Sequence, residues 1–263
     1  MHKIKTIIRK EWAEVFKNRM VIFTIIFMPL MLTALPLIIL YATQDAGAAG
    51  DIGAEMPEQF ASFCSEDLTM GECFQVYMVS QFLIMFMMIP LFIPVNIAAY
   101  SVVGEKTTRS LEPLLATPIT TAELLAGKNL ASTIPAVIAS WLGFGIFALG
   151  TFIIAGNPRL TEALLDPMWL IAIFLVGPLL ALLSVNFSIM VSSRVNDPRV
   201  AEQLSAVVIL PLLGLFFGQI SGLVILNSQL ILGIAFGLVV LDAILIYLAI
   251  HLFERETILT RWK

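Results

Sequence analysis

Charged side chains are scarce in this sequence. Only 13% of its 263 residues are Asp, Glu, Lys or Arg, and 59% are hydrophobic. A soluble globular domain carries about 25% charged and about 45–50% apolar residues. The low charge therefore excludes a soluble protein and predicts an integral membrane protein.

Residues that catalysis or metal binding would need are also few. The two histidines, His2 and His251, lie near the chain ends, so we expect neither a histidine metal site nor a histidine-dependent hydrolase at membrane depth. A phosphate loop would need GxxxxGK followed by Ser or Thr, whereas the one Gly-Lys pair, Gly127-Lys128, precedes Asn129. We therefore expect no enzyme, no metal, no cofactor in this chain and no nucleic-acid partner.

Long apolar runs define the fold class. Six segments reach the length of about 20 residues that a helix needs to cross the hydrocarbon core. The prediction is an all-α integral membrane protein with a single transmembrane domain. Its spans cover residues 20–41, 76–103, 130–154, 168–192, 201–226 and 230–253.

The placement of basic residues predicts the orientation of these spans. All but one of the 15 Lys and Arg residues precede the first span, follow the last, or lie between spans two and three or four and five. The exception is Arg159. Because Lys and Arg concentrate in cytoplasmic loops, both termini and the segment 104–128 are expected in the cytoplasm, and the chain is expected to be a multi-pass protein of the cell membrane.

The first 19 residues have an amphipathic pattern. Apolar residues recur at helical spacing, and basic residues occupy most of the remaining circumference. This predicts a helix in the lipid headgroup layer; a merely charged tail that sets topology is the alternative. The apolar set is Ile4, Ile7, Ile8, Trp12, Val15 and Phe16.

The loop 42–75 is acidic and contains both cysteines, Cys64 and Cys73. In an oxidising outer compartment they would pair and close a small loop, a stabilisation of about 2–3 kcal/mol. Two free thiols are the alternative. The acidic residues either attract cations or only reflect the exclusion of Lys and Arg from this side.

Polar residues at membrane depth are candidates for a translocation path. Asp242 lies near the middle of the last span, where an ionised carboxylate costs at least about 2.5–3.5 kcal/mol, so it should face the protein interior or a wet cavity. Asn186 and Gln219 are candidate partners, and all three are candidate path residues; structural hydrogen bonding between helices is the alternative. Residues 219–229, between spans five and six, are either a short re-entrant helix or a tight turn.

The segment SVVGEKTTRSLEPLLATPITTAELLAGK, residues 101–128, is the one dense polar stretch between spans. Pro113 and Pro118 interrupt helical geometry, and Thr120 with Glu123 fits a capping box that starts the next helix. The pattern predicts a short, stiff element with an apolar face that fits a partner's groove. Leu111, Leu114 and Leu115 form that face, and Glu105, Arg109 and Glu112 lie at its rim.

The run GEKTTRSLEPLLATPITTAELLAGK resembles a pattern of type-2 ABC exporter permeases. These six-span proteins have an elbow helix before the first span, a coupling helix between spans two and three and often re-entrant helices between spans five and six. The resemblance implies that residues 105–115 are a coupling helix inserted in an ATPase cleft, with Glu105, Arg109 and Glu112 as polar contacts.

The resemblance also implies partners. Two copies of an ABC ATPase would bind ATP and magnesium, and a second copy of this chain would complete the path within membrane lipid. The cargo is open: a lipid, drug, peptide, glycan or ion fits these spans equally. A proton-coupled secondary transporter with Asp242 as proton carrier is the alternative function.

Overall fold

A computed structural model describes residues 2–43, 70–107, 119–155, 158–224 and 226–252. Across these ranges the chain is helical and no strand occurs, which confirms the predicted all-α class. The helices are α1 (His2–Val15), α2 (Arg19–Ala42), α3 (Met70–Phe86), α4 (Ile89–Thr107), α5 (Thr121–Ala155), α6 (Pro158–Leu164), α7 (Pro167–Ile171), α8 (Gly177–Arg194), α9 (Pro198–Ser205), α10 (Leu210–Ile220) and α11 (Ser228–Leu252).

Six helical stretches of the described chain are long and apolar enough to cross a membrane. α2, α5 and α11 each form one span, whereas the second, fourth and fifth spans are built from consecutive helices. The stretches are Val21–Ala42, Gly71–Thr107, Thr121–Ile154, Leu160–Arg194, Pro198–Ile220 and Ser228–Leu252. The prediction of six spanning helices is confirmed.

A proline follows each of three breaks within the composite spans. Pro90 follows a turn at Met87 and Met88, Pro178 follows a π-helical turn at Ala172–Val176, and Pro211 follows a 3-10 turn at Ala206–Ile209. Proline has no backbone N–H to donate, so it is tolerated best at the first turn of a helix. Each of these three prolines lies at that position.

The second span forms the centre of the molecule. Of its most apolar window 78% is buried, against 56% for the fourth span and 22–28% for the others. α4 packs against α8 and α5. The hydroxyl of Ser184 donates to the Leu91 carbonyl at 2.6 Å and that of Ser188 to the Val95 carbonyl at 3.4 Å. Both numbers increase together, so α4 and α8 run parallel.

Two connections between spans can be compared with the sequence predictions. α5 begins at Thr121, where the sequence places a capping box, and continues without a break into the predicted span at 130. Between α10 and α11 the described residues contain no helix, and Gly222, just after α10, has a φ of 72° in the left-handed region that favours glycine. In the described part of this connection the chain therefore forms a turn and no re-entrant helix.

Candidate functional site

The N-terminal helix packs along the start of α5. Lys3 Nζ lies 3.3 Å from Glu123 Oε2, and the Trp12 indole N–H donates to the Ala131 carbonyl at 2.9 Å. Because these contacts advance together in both helices, α1 runs beside the first turns of α5 in the same direction.

Gly127 allows this close packing. A Cβ at this position would lie 2.7 Å from Ile7 Cγ2 and 2.9 Å from Ile7 Cβ, closer than real Cβ atoms approach. Ile7 is itself buried. The glycine is therefore required by the approach of α1 and not by an unusual backbone angle.

The capping box at the start of α5 is present. The Thr120 N–H donates to Glu123 Oε2 at 3.0 Å, and the Glu123 N–H donates to Thr120 Oγ1 at 3.2 Å. Two otherwise unpaired donors of the first turn are satisfied reciprocally. The Thr120–Glu123 prediction is confirmed, and it fixes where the segment between α4 and α5 ends.

A buried group of charges joins α1, α4 and α5. Lys128 Nζ on α5 lies 2.8 Å from Glu11 Oε1 on α1 and 2.8 Å from Glu105 Oε2 on α4. It also donates to the Ser101 hydroxyl at 2.6 Å. The three charged side chains are only 2–4% exposed. With Lys10 they form what we call the charge cluster: Lys10, Glu11, Glu105 and Lys128.

Lys10 completes the cluster at its solvent-facing side. Its ammonium donates to Glu105 Oε1 and lies 3.9 Å from Glu11 Oε1 and 3.7 Å from Glu14 Oε1. The four cluster residues carry two positive and two negative charges. A buried group of charges is tolerated when it is mutually paired in this way.

The surroundings shift two pKa values in opposite directions. Burial alone would raise the pKa of Glu11, but Lys128, the Ser101 hydroxyl and Lys10 outweigh it and lower that pKa. Burial alone would lower the pKa of Lys10, but its bond to Glu105 and the charges of Glu105, Glu11 and Glu14 raise it. Both shifts favour the charged forms over the neutral ones.

The predicted coupling residues divide into two groups. Arg109, Leu111, Glu112, Leu114 and Leu115 lie outside the described residues, so their roles stay predictions. Glu105 is described, and its carboxylate faces Lys10 and Lys128 inside the protein instead of the solvent. The sequence placed Glu105 at the rim of a docking surface, whereas the structure places it in the charge cluster.

The end of α4 is also tied to α8. The Lys106 ammonium donates to the carbonyls of Ser193 and Val195 at 3.3 and 3.4 Å. A cation suits this place, because the last carbonyls of a helix lack partners within the helix. α4 therefore holds α1 and α5 through Glu105 and holds α8 through Lys106.

Two of the three candidate path residues come together. Asn129 Nδ2 donates to Asn186 Oδ1 at 2.9 Å, and Asp242 lies beside Asn186, though outside the geometry of a well-formed hydrogen bond. All three side chains are buried. Gln219 is buried near the C-terminal end of α10, close in sequence to Ser228, the first residue of α11. Asp242 lies about 21 Å along α11 from Ser228, at about 1.5 Å per residue. Gln219 and Asp242 therefore lie at different depths in the membrane.

Cys73 is buried and disulfide-bonded. Its expected partner, Cys64, lies outside the described residues, so this pairing stays a prediction.

Sequence reasoning missed the charge cluster as a unit. Glu11 lies four residues from Ile7 and four from Val15, both buried. A carboxylate on the buried stripe of an amphipathic helix needs a buried partner, so this spacing was the available signal. The sequence alone could not identify Lys128 as that partner, because it lies 117 residues away.

Comparison with known proteins agrees with this architecture. A family model described as ABC-2 family transporter protein matches residues 5–252, which include most of α1, the segment between α4 and α5 and all six candidate spans. No curated protein matches the chain at a significant level. The resemblance inferred from the sequence is confirmed. Members of this family are membrane components of transporters and are not enzymes themselves; they work with an ABC ATPase. The chain therefore belongs to the ABC-2 family of transporter proteins and is a multi-pass membrane component of an ABC transporter.

Proposed function

We propose that the chain is the permease subunit of an ATP-driven exporter. Two copies form the translocation path, and two copies of a separate ATPase, which bind ATP and magnesium, drive it. The observation that carries the proposal is the charge cluster: it joins α1 to the two helices that flank the cytoplasmic segment. The cargo is a lipid, drug, peptide, glycan or ion.

The proposed coupling route begins in the segment between α4 and α5. Arg109, Leu111, Glu112, Leu114 and Leu115 contact the ATPase, whose closure on ATP displaces the segment. Thr107 and Thr120 lie on either side of it, so the displacement reaches α4 and α5 together. The Glu105–Lys128 pair keeps these two helices in register, and Lys106 passes the motion to α8.

Glu105 has a different role in this route from the one its sequence context suggests. Its carboxylate binds two lysines inside the chain, so it positions the ends of α4 and α5 and does not contact the ATPase. The direct polar contacts are left to Arg109 and Glu112.

The proposed setting is the cell membrane with both termini in the cytoplasm. The placement of Lys and Arg supports this orientation. In that orientation α1 is the elbow at the cytoplasmic surface, where Trp12 suits the membrane boundary. The buried group Asn129, Asn186 and Asp242 lies within the spans, and we assign Asn186 and Asp242 to the path.

Co-purification tests this function. The chain is co-expressed in turn with each ABC ATPase of its source organism, and we expect one of them to co-purify and to hydrolyse ATP in the complex. The double variant Arg109→Ala with Leu114→Ala should lose that ATPase. The matched control, Arg199→Ala with Val200→Ala on α9, changes an exposed basic and an exposed apolar residue elsewhere and should retain it. Equal recovery by both variants would disprove the assignment of the coupling segment.

The proton-coupled alternative gains no support from the structure. Asp242 is buried beside an amide, which suits a structural contact as well as a proton carrier. Family membership identifies the chain as part of an ABC transporter, so we do not propose a secondary transporter.

A further inference from the structure

An apolar groove opens between α1, α2 and α5. Its volume is about 680 Å³. Trp12 and Phe16 line one end, and α2 and α5 supply the walls. Thr33 is its one hydroxyl-bearing lining residue, and that hydroxyl is already bonded to the Leu30 carbonyl at 2.9 Å. The groove therefore offers an apolar ligand almost no polar atom.

The far end of the groove is closed by direct helix contact. A Cβ at Gly150 on α5 would lie 2.6 Å from Leu37 Cδ1 on α2, so the two helices touch there. Toward the other end Pro29 of α2 and Pro135 of α5 lie inside their helices and line the groove. The space is thus a cleft with a closed end and an open side.

The length of the cleft matches one lipid leaflet. From Ile25 to Leu37 on α2 the rise is about 18 Å at about 1.5 Å per residue. The hydrocarbon core of a bilayer is about 30 Å thick, and one leaflet is half of that. A single acyl chain that enters beside α1 would extend to the closed end.

Three basic residues are close in sequence to Trp12 and Phe16, which line one end of the groove. Arg9 is one helical turn before Trp12, Lys17 follows Phe16 directly and Arg19 starts α2. All three side chains are exposed. Within the described part of the chain none of them has an ion pair with an acidic side chain. A phosphate group here would meet three positive charges. The exposed carboxylate nearest in sequence is that of Glu14, which lies 3.7 Å from Lys10 Nζ.

We propose that this groove binds one anionic phospholipid of the cytoplasmic leaflet. One acyl chain lies in the cleft between α2 and α5, and the phosphate lies among Arg9, Lys17 and Arg19. The lipid would fill the joint between α1 and the first and third spans. The three basic residues favour an anionic headgroup over a zwitterionic one. The cleft contacts the acyl chain from both α2 and α5, whereas a flat lipid-facing surface contacts it on one side only.

Native mass spectrometry of the detergent-purified chain tests this site. The protein is offered equal amounts of phosphatidylglycerol and phosphatidylcholine with the same acyl chains. We expect one tightly retained phosphatidylglycerol per chain, with at least a five-fold preference over phosphatidylcholine. No retained lipid, or equal retention of both, would overturn the proposal.

Two variants separate the headgroup from the cleft. Arg9→Gln with Lys17→Gln and Arg19→Gln should abolish the preference, whereas Arg199→Gln, an exposed basic residue on α9, should not. Ala139→Phe places a large side chain in the cleft and should prevent retention, whereas Ala243→Phe on the exposed face of α11 should not. If Ala139→Phe keeps the lipid, or instead turns a dimer into a monomer by light scattering, the groove is not a lipid site.

Discussion

Replacement of Lys128 by Met should destabilise the protein strongly. Lys128 is the cation between Glu11 and Glu105, at 2.8 Å from each carboxylate. The substitution shortens the side chain by one atom and removes its charge, which leaves Glu11 without its main partner and Glu105 with Lys10 alone. Removal of one partner from a buried pair costs about 3–5 kcal/mol. For a chain of this size that corresponds to a fall in Tm of about 6–20 °C.

A compensated variant shows whether the loss comes from unpaired charge. Lys128→Met with Glu11→Met and Glu105→Met removes the buried carboxylates along with the cation. Replacement of a buried ion pair by well-packed hydrophobic residues is often neutral in stability, so this variant should recover most of the lost Tm. Thermal unfolding of the purified chain in lipid nanodiscs, followed by tryptophan fluorescence, measures both. If Lys128→Met lowers the Tm by less than about 2 °C, or if the triple variant recovers none of the lost Tm, the charge cluster is not a buried network that stabilises the fold.

Three further predictions concern the same region. Gly127→Ala should cost about 1–3 kcal/mol because its Cβ would overlap Ile7, whereas Gly104→Ala, with nothing within 4 Å of the new atom, should cost nothing; equal Tm values would contradict the close packing of α1. Thr120→Ala should cost about 0.5–2 kcal/mol through loss of the cap, and Thr120→Ser should restore most of it; the contrary result is no difference between Ala and Ser. The pKa of Glu11 is lowered from 4.5 and that of Lys10 is raised from 10.5. The charged forms of both residues therefore contribute fully to the stability of the fold between pH 4.5 and pH 10.5. This contribution is lost as the pH falls through the folded pKa of Glu11 or rises through that of Lys10, and in Glu11→Gln the fall in Tm on the acid side should be smaller; an unchanged acid limb would contradict this.

The predictions that the structure confirms, the capping box and the six spans, depend on local sequence patterns. Thr120 and Glu123 are three residues apart, so the capping box needs no tertiary information. The spans follow from apolar length alone, because each helix satisfies its own backbone in lipid.

Glu105 shows why the site itself could not be predicted fully. Its spacing from Arg109 fits an exposed helical pair, and this made it look like part of a docking surface. The residue that binds it on α1, Lys10, is 95 positions away, and nothing in the local sequence specifies that distance. Burial at the joint of three helices is a tertiary property, so the role of Glu105 depends on the packing of α1.

We propose that α1, α4 and α5 move as one unit when the ATPase acts. Double electron–electron resonance between spin labels at Lys5→Cys and Thr107→Cys, with Cys64 and Cys73 replaced by Ser, measures the distance between α1 and the end of α4. Thr107→Cys alone measures the distance between the two copies of the chain. In the complex with its ATPase, ATP should change the second distance and leave the first unchanged. An ATP-dependent change in the distance between Lys5 and Thr107 would contradict the account.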